Sequence, residues 1–370
     1  MENLGISVSL LGYGCMRFPT TKDGDIDQAE SEKLIDLAYE NGVRYFDTAY
    51  FYHGGQSETF IGKALAKYDR GSYFLATKLP GWGLKTLDDA KRIFNEQLKK
   101  LDKDYVDFYL LHSLGKSTWD SMVRLGVLEY IDELREEGKI RYFGFSFHDE
   151  YKVFEEIITA RKWDFCQIQL NYMDVEEQAG LKGYRLAESL GVPVIIMEPV
   201  KGGQLANLPD DITEEFRRFN PDASVASWAL RWAASLPNVK VVLSGMSTMQ
   251  QVRDNLDTFS GPNALSGEEQ ETVRKVSDLL NQRVNNGCTG CSYCMPCPKG
   301  VNIPYNFKIW NTYGIYKNKG SALWRWKNEL KEDEKAASCA SCGLCEKVCP
   351  QKIRIRDDLS RLQKEFDSLE

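Results

Sequence analysis

Short apolar segments alternate with longer amphipathic segments along residues 1–280 of this 370-residue chain. The short segments are rich in β-branched and aromatic residues, which is typical of buried strands. The longer segments carry apolar residues at helical spacing, as in residues 27–41, 87–101 and 119–137. This alternation predicts eight strands, at residues 10–15, 45–47, 74–78, 108–112, 142–146, 165–171, 194–198 and 239–244.

Eight strands that alternate with helices over about 260 residues favour an α/β protein built as a (β/α)8 TIM barrel. A doubly wound parallel sheet is the structural alternative, since it uses the same elements. Such a sheet often carries a G-x-G-x-x-G turn directly after its first strand, and this chain has none there. We therefore predict a closed parallel barrel over residues 1–280.

The sequence changes character at residue 281, which predicts a second, small and mostly helical domain over residues 281–370. The strand–helix alternation stops there, and eight of the ten cysteines follow in two short runs. The residues between and after the runs, 305–335 and 357–370, are predicted to be helical. The cysteines in the two runs are Cys288, Cys291, Cys294, Cys297, Cys339, Cys342, Cys345 and Cys349.

The second run, C-x2-C-x2-C-x3-C-P, has the spacing of a bacterial ferredoxin that holds two [4Fe–4S] clusters. In such proteins the fourth cysteine of each run ligates the cluster of the other run. The first run departs from this pattern, with two residues instead of three before Cys297. Zinc or purely structural thiols are the alternative. Cys15 and Cys166 stand alone and are predicted to be small buried residues.

Composition narrows the functional classes. The net charge of −7 argues against general nucleic-acid binding. The N-terminus lacks the pattern of a signal peptide, and no apolar run reaches the roughly 18 residues that a membrane span needs. We expect a cytoplasmic protein, where thiols stay reduced, and this favours cluster ligation over disulfides.

Four reactive side chains fall at consecutive strand ends of the predicted barrel, where barrel enzymes place their active sites. Asp47 ends the second strand, Tyr52 follows it, Lys78 ends the third and His112 ends the fourth. A nearby ammonium is expected to lower the tyrosine pKa from about 10, and Asp47 can hold that ammonium in place. The set suits protonation of an alkoxide that develops during hydride delivery. The alternative is a structural ion pair beside an unrelated tyrosine and histidine.

Residues 43–52, 76–78, 104–112 and 138–146 resemble, in order, the motifs of the aldo-keto reductase family. The resemblance spans about residues 1–280. It implies that Tyr52 is the general acid/base and that Asp47, Lys78 and His112 support it. The cysteine-rich region resembles the C-terminal addition of the iron–sulfur branch of that family.

The same resemblance implies a nicotinamide cofactor. It places Ser146 and Gln169 at the nicotinamide amide, residues 198–203 along the pyrophosphate, and residues 245–255 at the adenosine phosphate end. The implied contacts are Ser146, Gln169, Met197, Glu198, Gly202, Gly203, Gly245, Gln251 and Asn255.

Several of these positions differ from the family pattern. Phe147 replaces an asparagine, and Met197 replaces an aromatic that stacks on the nicotinamide. The basic pair at the 2′-phosphate is replaced by Gly245 and Gln251, while Arg253 lies nearby but out of register. The choice between NADH and NADPH therefore stays open, and FMN in the phosphate site is a less favoured cofactor.

Two classes of function follow. The leading hypothesis is an NAD(P)-dependent oxidoreductase that acts on a small carbonyl or alcohol. In the alternative, the clusters exchange electrons with a ferredoxin-type partner, and the barrel docks that partner or holds a flavin. A purely structural role, in which clusters staple a domain too small to bury its own core, also stays open.

Overall fold

The computed structural model describes residues 1, 4–261 and 264–369, which form two compact units. The first unit comprises Met1–Ala206 and Asp222–Gln270, and the second comprises Asn207–Pro221 and Glu271–Glu370. The domain boundary between residues 280 and 281 stays a prediction. Within the described ranges, no helix combines the length and the apolar character needed to cross a membrane.

Eight parallel strands close into a barrel in the first unit. Each strand pairs with its neighbour in chain order, and β8 pairs with β1. The closure confirms the predicted fold class, because a doubly wound sheet has two open edges. The strands are β1 (Leu11–Gly14), β2 (Tyr45–Asp47), β3 (Phe74–Pro80), β4 (Val106–Leu114), β5 (Ile140–Phe147), β6 (Phe165–Gln169), β7 (Val194–Met197) and β8 (Val239–Ser244).

Side chains along the strands alternate between the barrel interior and the surrounding helix-facing core, as the two-residue period of a strand requires. Tyr45 and Phe108 pack in the interior, whereas Phe46 and Tyr109, one residue further along, join the helix-facing core. The rings of Tyr45 and Phe165 each lie 5.0 Å from that of Phe108, centroid to centroid. The part of the barrel interior around these rings is thus filled with apolar side chains.

Helices surround the barrel and build most of the second unit. Their apolar faces produce the spacing seen in the sequence. The helices are α1 (Gln28–Glu40), α2 (Ser57–Ala64), α3 (Leu87–Leu101), α4 (Lys116–Arg124), α5 (Val127–Glu136), α6 (Tyr151–Thr159), α7 (Gly180–Ser189), α8 (Asp210–Phe219), α9 (Val225–Ala234), α10 (Met249–Ser260), α11 (Gly267–Asn281), α12 (Ile303–Tyr316), α13 (Lys319–Asn328), α14 (Leu344–Val348) and α15 (Ile355–Leu369).

The stretch 119–137, predicted as one amphipathic segment, forms two helices. α4 ends before Leu125, and α5 begins after Gly126, whose φ of 72° is left-handed and accessible to glycine at little cost. Apolar residues on both helices, such as Met122 and Ile131, are fully buried. The apolar spacing therefore predicted the burial correctly but gave no sign of the break.

The second unit has its own apolar core, formed largely by α12, α13 and α15. Trp310, Trp326 and Phe366 are buried there, and the rings of Trp326 and Phe366 lie 4.6 Å apart. Six of the eight run cysteines pack against this core. The predicted helical character of residues 305–335 and 357–370 is confirmed by α12, α13 and α15, with residue 370 outside the described residues.

Candidate active site and cluster-binding cysteines

A buried ion pair joins the carboxyl ends of β2 and β3. Lys78 Nζ donates a hydrogen bond to Asp47 Oδ1 at 2.5 Å and another to the Thr48 carbonyl oxygen at 2.7 Å. Lys78 is 1% exposed and Asp47 is 2% exposed. Both point inward because each lies two residues beyond an interior residue of its strand, Tyr45 or Ala76. The strand period thus brings opposite charges together above the apolar interior.

Tyr52 and His112 complete a cluster with this pair. Tyr52 begins a short 3₁₀ turn, Tyr52–Gly55, after β2. Its hydroxyl oxygen lies 3.4 Å from Lys78 Nζ, which can donate to it. The His112 ring, from β4, lies 5.9 Å from the Tyr52 ring in an edge-on arrangement. The structure therefore brings together all four residues that the sequence analysis selected.

The pKa of Tyr52 moves in the opposite direction to the one predicted. Burial raises it above the usual tyrosine value, and this outweighs the lowering effect of the Lys78 ammonium. The prediction included the effect of the ammonium, but the burial of Tyr52 cannot be inferred from the sequence. The Tyr52 hydroxyl is therefore protonated at neutral pH and is able to act as an acid.

Lys78 and His112 have well-defined charge states. Burial would lower the pKa of Lys78, but the charges of Asp47 and Tyr52 raise it more, so the pKa is raised and the ammonium persists. Burial, and next the charge of Lys78, hold the pKa of His112 well below its usual value. The imidazole is thus neutral and has one N–H to donate. Its Nδ1 is buried without a hydrogen-bond partner among the described residues.

A second buried polar network supports the strand that carries Lys78. Glu58, fully buried on α2, accepts hydrogen bonds from Thr77 Oγ1 at 2.6 Å and from Gln97 Nε2 at 2.9 Å. Gln97 also donates to the Lys78 carbonyl oxygen at 2.9 Å. The sequence analysis missed this network, because Glu58 looks like an ordinary acidic residue in the first turn of a helix.

Two exposed aromatic side chains lie next to His112 and were also missed. The Trp82 ring lies 5.1 Å from the His112 ring and stacks on Phe51 at 5.8 Å. Trp82 is 45% exposed and Phe51 is 47% exposed. In the sequence, only their positions in the loops after β2 and β3 indicate that they lie near the site. Together they form an apolar wall beside the imidazole.

The residues predicted to hold the nicotinamide lie at strand ends. Ser146 ends the interior row of β5, and its Oγ accepts a hydrogen bond from the Ser113 N–H at 2.7 Å. Gln169 ends β6, where its amide accepts from Gln178 at 2.9 Å and donates to Asp174 at 3.3 Å. Phe147 is fully buried in the helix-facing core. The hydroxyl and the amide fit a nicotinamide carboxamide, although the Gln169 amide already has partners.

The residues predicted at the phosphates lie in the loops after β7 and β8. Met197 ends β7, and the loop that follows has left-handed φ values at Glu198 (54°), Gly202 (63°) and Gly203 (93°). Glycine at the last two positions lets a ligand approach the backbone closely. After β8 come three further predicted contacts, namely Gly245, Gln251, which accepts from the Ser247 N–H at 2.8 Å, and Asn255, which donates to Ser244 Oγ at 2.7 Å.

Two cavities in the second unit divide the eight run cysteines into two sets. A cavity of about 290 Å³ has Cys297 in its wall together with Cys339, Cys342 and Cys345. A smaller one, of about 20 Å³, has Cys349 in its wall together with Cys288, Cys291 and Cys294. Cys294 also reaches the larger cavity.

The two sets fit a pair of [4Fe–4S] clusters with crossed ligation, because the fourth cysteine of each run lines the cavity of the other run. Among the described residues, no three His, Cys, Asp or Glu side chains form a group that could hold a single metal ion. Cys15 and Cys166 are fully buried in the core of the barrel unit, as predicted.

The fold and the site define a (β/α)8-barrel protein with a buried ionic cluster at its strand ends and a separate cysteine-rich unit. Residues 10–278 match the Aldo/keto reductase family, and residues 287–353 match the 4Fe-4S dicluster domain. The chain therefore belongs to the aldo/keto reductase family and carries a 4Fe-4S dicluster domain at its C-terminal end.

Individual relatives agree with this assignment. An uncharacterized oxidoreductase, YqkF of Bacillus subtilis, is 28% identical over 68% of this chain and 87% of its own length. The L-galactose dehydrogenase of Arabidopsis thaliana is 25% identical over 76% of this chain and 93% of its own. The solved holo form of the aldo-keto reductase AKR11C1 from Bacillus halodurans is 28% identical, with a TM-score of 0.62 over 74% of this chain and 94% of its own.

Crossed ligation predicts how pairs of cysteine substitutions combine. Cys288→Ser and Cys349→Ser remove ligands of the same cluster, so each should lose about half of the bound iron, and the double variant should lose no more. Cys288→Ser combined with Cys297→Ser should lose both clusters. The measurement is iron and sulfide per chain after anaerobic purification, with Ser292→Ala as the control from the same loop. If each cluster were instead held within one run, the double variant at Cys288 and Cys349 would lose both clusters. The double variant at Cys288 and Cys297 would then lose only one.

Proposed function

We propose that this protein is an NAD(P)-dependent oxidoreductase that transfers a hydride between the nicotinamide and a small carbonyl or alcohol substrate. The observation that carries the proposal is the buried Asp47–Lys78 pair, with the Tyr52 hydroxyl 3.4 Å from Lys78 Nζ and the His112 ring beside it. The names of two relatives, an oxidoreductase and L-galactose dehydrogenase, support the same class of reaction.

Reduction of a carbonyl needs a hydride at carbon and a proton at oxygen. Bound NAD(P)H would supply the hydride. Tyr52, neutral because burial raises its pKa, donates the proton, and the Lys78 ammonium stabilises the phenolate that remains. Asp47 keeps Lys78 charged and in place. Neutral His112 donates a hydrogen bond to the same oxygen, and alcohol oxidation runs through these steps in reverse.

Tyr52→Phe tests the assignment of the acid. The change removes the proton donor and keeps the ring, so we expect kcat with a panel of aldehydes and ketones to fall by about 100-fold or more. Nucleotide binding should be unchanged, since the phenyl ring still fills the site. The measurement is NADH and NADPH oxidation under single-turnover and steady-state conditions.

Tyr151→Phe is the matched control, because the Tyr151 hydroxyl donates its hydrogen bond to Glu155 on its own helix, α6. This variant should keep its activity. Unchanged turnover in Tyr52→Phe would show that another group supplies the proton, and the proposed mechanism would then be wrong.

The charge states of the site predict the shape of the pH profile for reduction. The raised pKa values of Tyr52 and Lys78 keep both groups protonated until the pH exceeds about 10, where the rate should fall as the acid is lost. The lowered pKa of His112 keeps its imidazole neutral above about pH 6.5. We therefore expect kcat to stay constant between about pH 6.5 and 9. A rise or fall of kcat with its midpoint in that range would contradict these assignments.

We further propose that the C-terminal unit holds two [4Fe–4S] clusters that exchange single electrons with a ferredoxin-type partner. The match to the dicluster domain and the two cavities support the clusters. One cysteine of each run, Cys291 or Cys342, is exposed, which supports a cluster near the surface of the unit that a partner could approach. Because cluster ligation needs reduced thiols, we propose the cytoplasm as the compartment. A purely structural role for the clusters is the competing proposal.

Anaerobic reduction distinguishes the two roles. If the clusters work with the barrel through a flavin such as FMN, which accepts a hydride and releases its electrons one at a time, NADH or NADPH should reduce them within a turnover time, and EPR should detect the paramagnetic reduced form. Dithionite reduction is the positive control for clusters that can accept electrons. Clusters that dithionite reduces, but that neither nicotinamide nucleotides nor a reduced ferredoxin ever reduces, would contradict the electron-exchange proposal. The visible spectrum of the same sample would reveal bound FMN, the less favoured cofactor.

A further inference from the structure

Arg17, in the loop after β1, has an exposed side chain with no hydrogen bond or ion pair at its guanidinium within the described part of the chain. Its stem packs over Gly245, where an added Cβ would lie 3.0 Å from Cγ and 3.1 Å from Cβ of the arginine. Its Nη2 lies 3.6 Å from the corresponding Cβ position of Gly202. The side chain thus crosses the loop after β8 and ends at the loop after β7.

The backbone of Arg17 is anchored to the same region. Ser247 Oγ donates a hydrogen bond to the Arg17 carbonyl oxygen at 2.5 Å, and the Ser247 N–H is bound in turn by Gln251. The loop after β1 is therefore fixed to the loop after β8. Gly245 gives the stem its room, since a side chain there would meet Cβ and Cγ of Arg17 at tight distances.

We propose that Arg17 is the cation that binds the pyrophosphate of the nicotinamide nucleotide. The proposal rests on the function proposed above, because it takes the loop at residues 198–203 as the pyrophosphate loop. Gly245 and Gln251, at the positions of the family's basic pair, carry no charge. A free guanidinium beside glycines is well suited to phosphate, because its forked N–H groups can bind two oxygens at once.

The direction of the side chain selects the pyrophosphate over the 2′-phosphate. The donor end of Arg17 approaches Gly202, in the loop after β7, whereas only its aliphatic stem contacts Gly245, at the predicted adenosine phosphate end. The pyrophosphate is common to NADH and NADPH, and only NADPH has the 2′-phosphate. A contact to the pyrophosphate must therefore affect both nucleotides equally.

The test is the direct binding of nucleotides to the full-length holoprotein, which does not depend on turnover. Binding is measured by calorimetry or by nucleotide fluorescence. Arg17→Gln should weaken NADH, NADPH and ADP-ribose by the same factor, about ten- to a hundredfold, which is the usual effect of losing a hydrogen bond to a charged group. Adenosine, which lacks both phosphates of the pyrophosphate, should bind as before. Arg17→Lys should recover part of the affinity, because it restores the charge without the fork.

Lys22→Gln removes the same charge from an exposed residue of the same loop and should change none of these affinities. Weakening of NADPH alone in Arg17→Gln would assign the guanidinium to the 2′-phosphate and overturn the proposal. Unchanged affinities would remove Arg17 from the site and leave the proposed function intact. Failure of the unsubstituted protein to bind any nicotinamide nucleotide would overturn the proposed function itself, and the role of Arg17 with it.

Discussion

The chemistry of this barrel depends on the buried ion pair between Lys78 and Asp47. Removing two charges from water costs several kcal/mol for each ion, and replacement of such pairs by apolar residues is often neutral or even stabilising (about 1–4 kcal/mol). The stability of the barrel therefore does not explain the pair. The pair acts instead on Tyr52, because Lys78 presents a permanent positive charge to the hydroxyl of a tyrosine that burial keeps protonated.

The positions of the side chains in the candidate site could be predicted from the sequence, while their electrostatics could not. In a parallel barrel the two-residue period decides which side chains reach the interior, so Asp47 and Lys78 follow from the strands alone. The burial that raises the pKa of Tyr52 depends on the folded surroundings of its ring and has no local pattern in the sequence. The break at Gly126 escaped notice for a related reason, since apolar spacing reports burial and does not register a single left-handed residue.

Closure of the barrel explains which binding residues the sequence analysis missed. Pairing of β1 with β8 brings Arg17 beside Gly245, although the two are distant along the chain. No sequence motif covers such a contact, and Arg253, the basic residue near Gln251 along the chain, lies out of register. Cysteine spacing is local chemistry and could be recognised directly. The crossing of Cys297 and Cys349 between cavities depends on the fold of the whole unit.

The C-terminal unit raises the question of why a barrel of the aldo/keto reductase family would carry a 4Fe-4S dicluster domain. A cluster that only staples a fold gains from burial, yet Cys291 and Cys342 are exposed and Tyr293, beside the smaller cavity, is 69% exposed. A hydride carries two electrons, and each cluster carries one. A barrel that moves a hydride and a unit that moves single electrons could therefore be coupled only through a carrier that takes both electrons and releases them one at a time, as a flavin does.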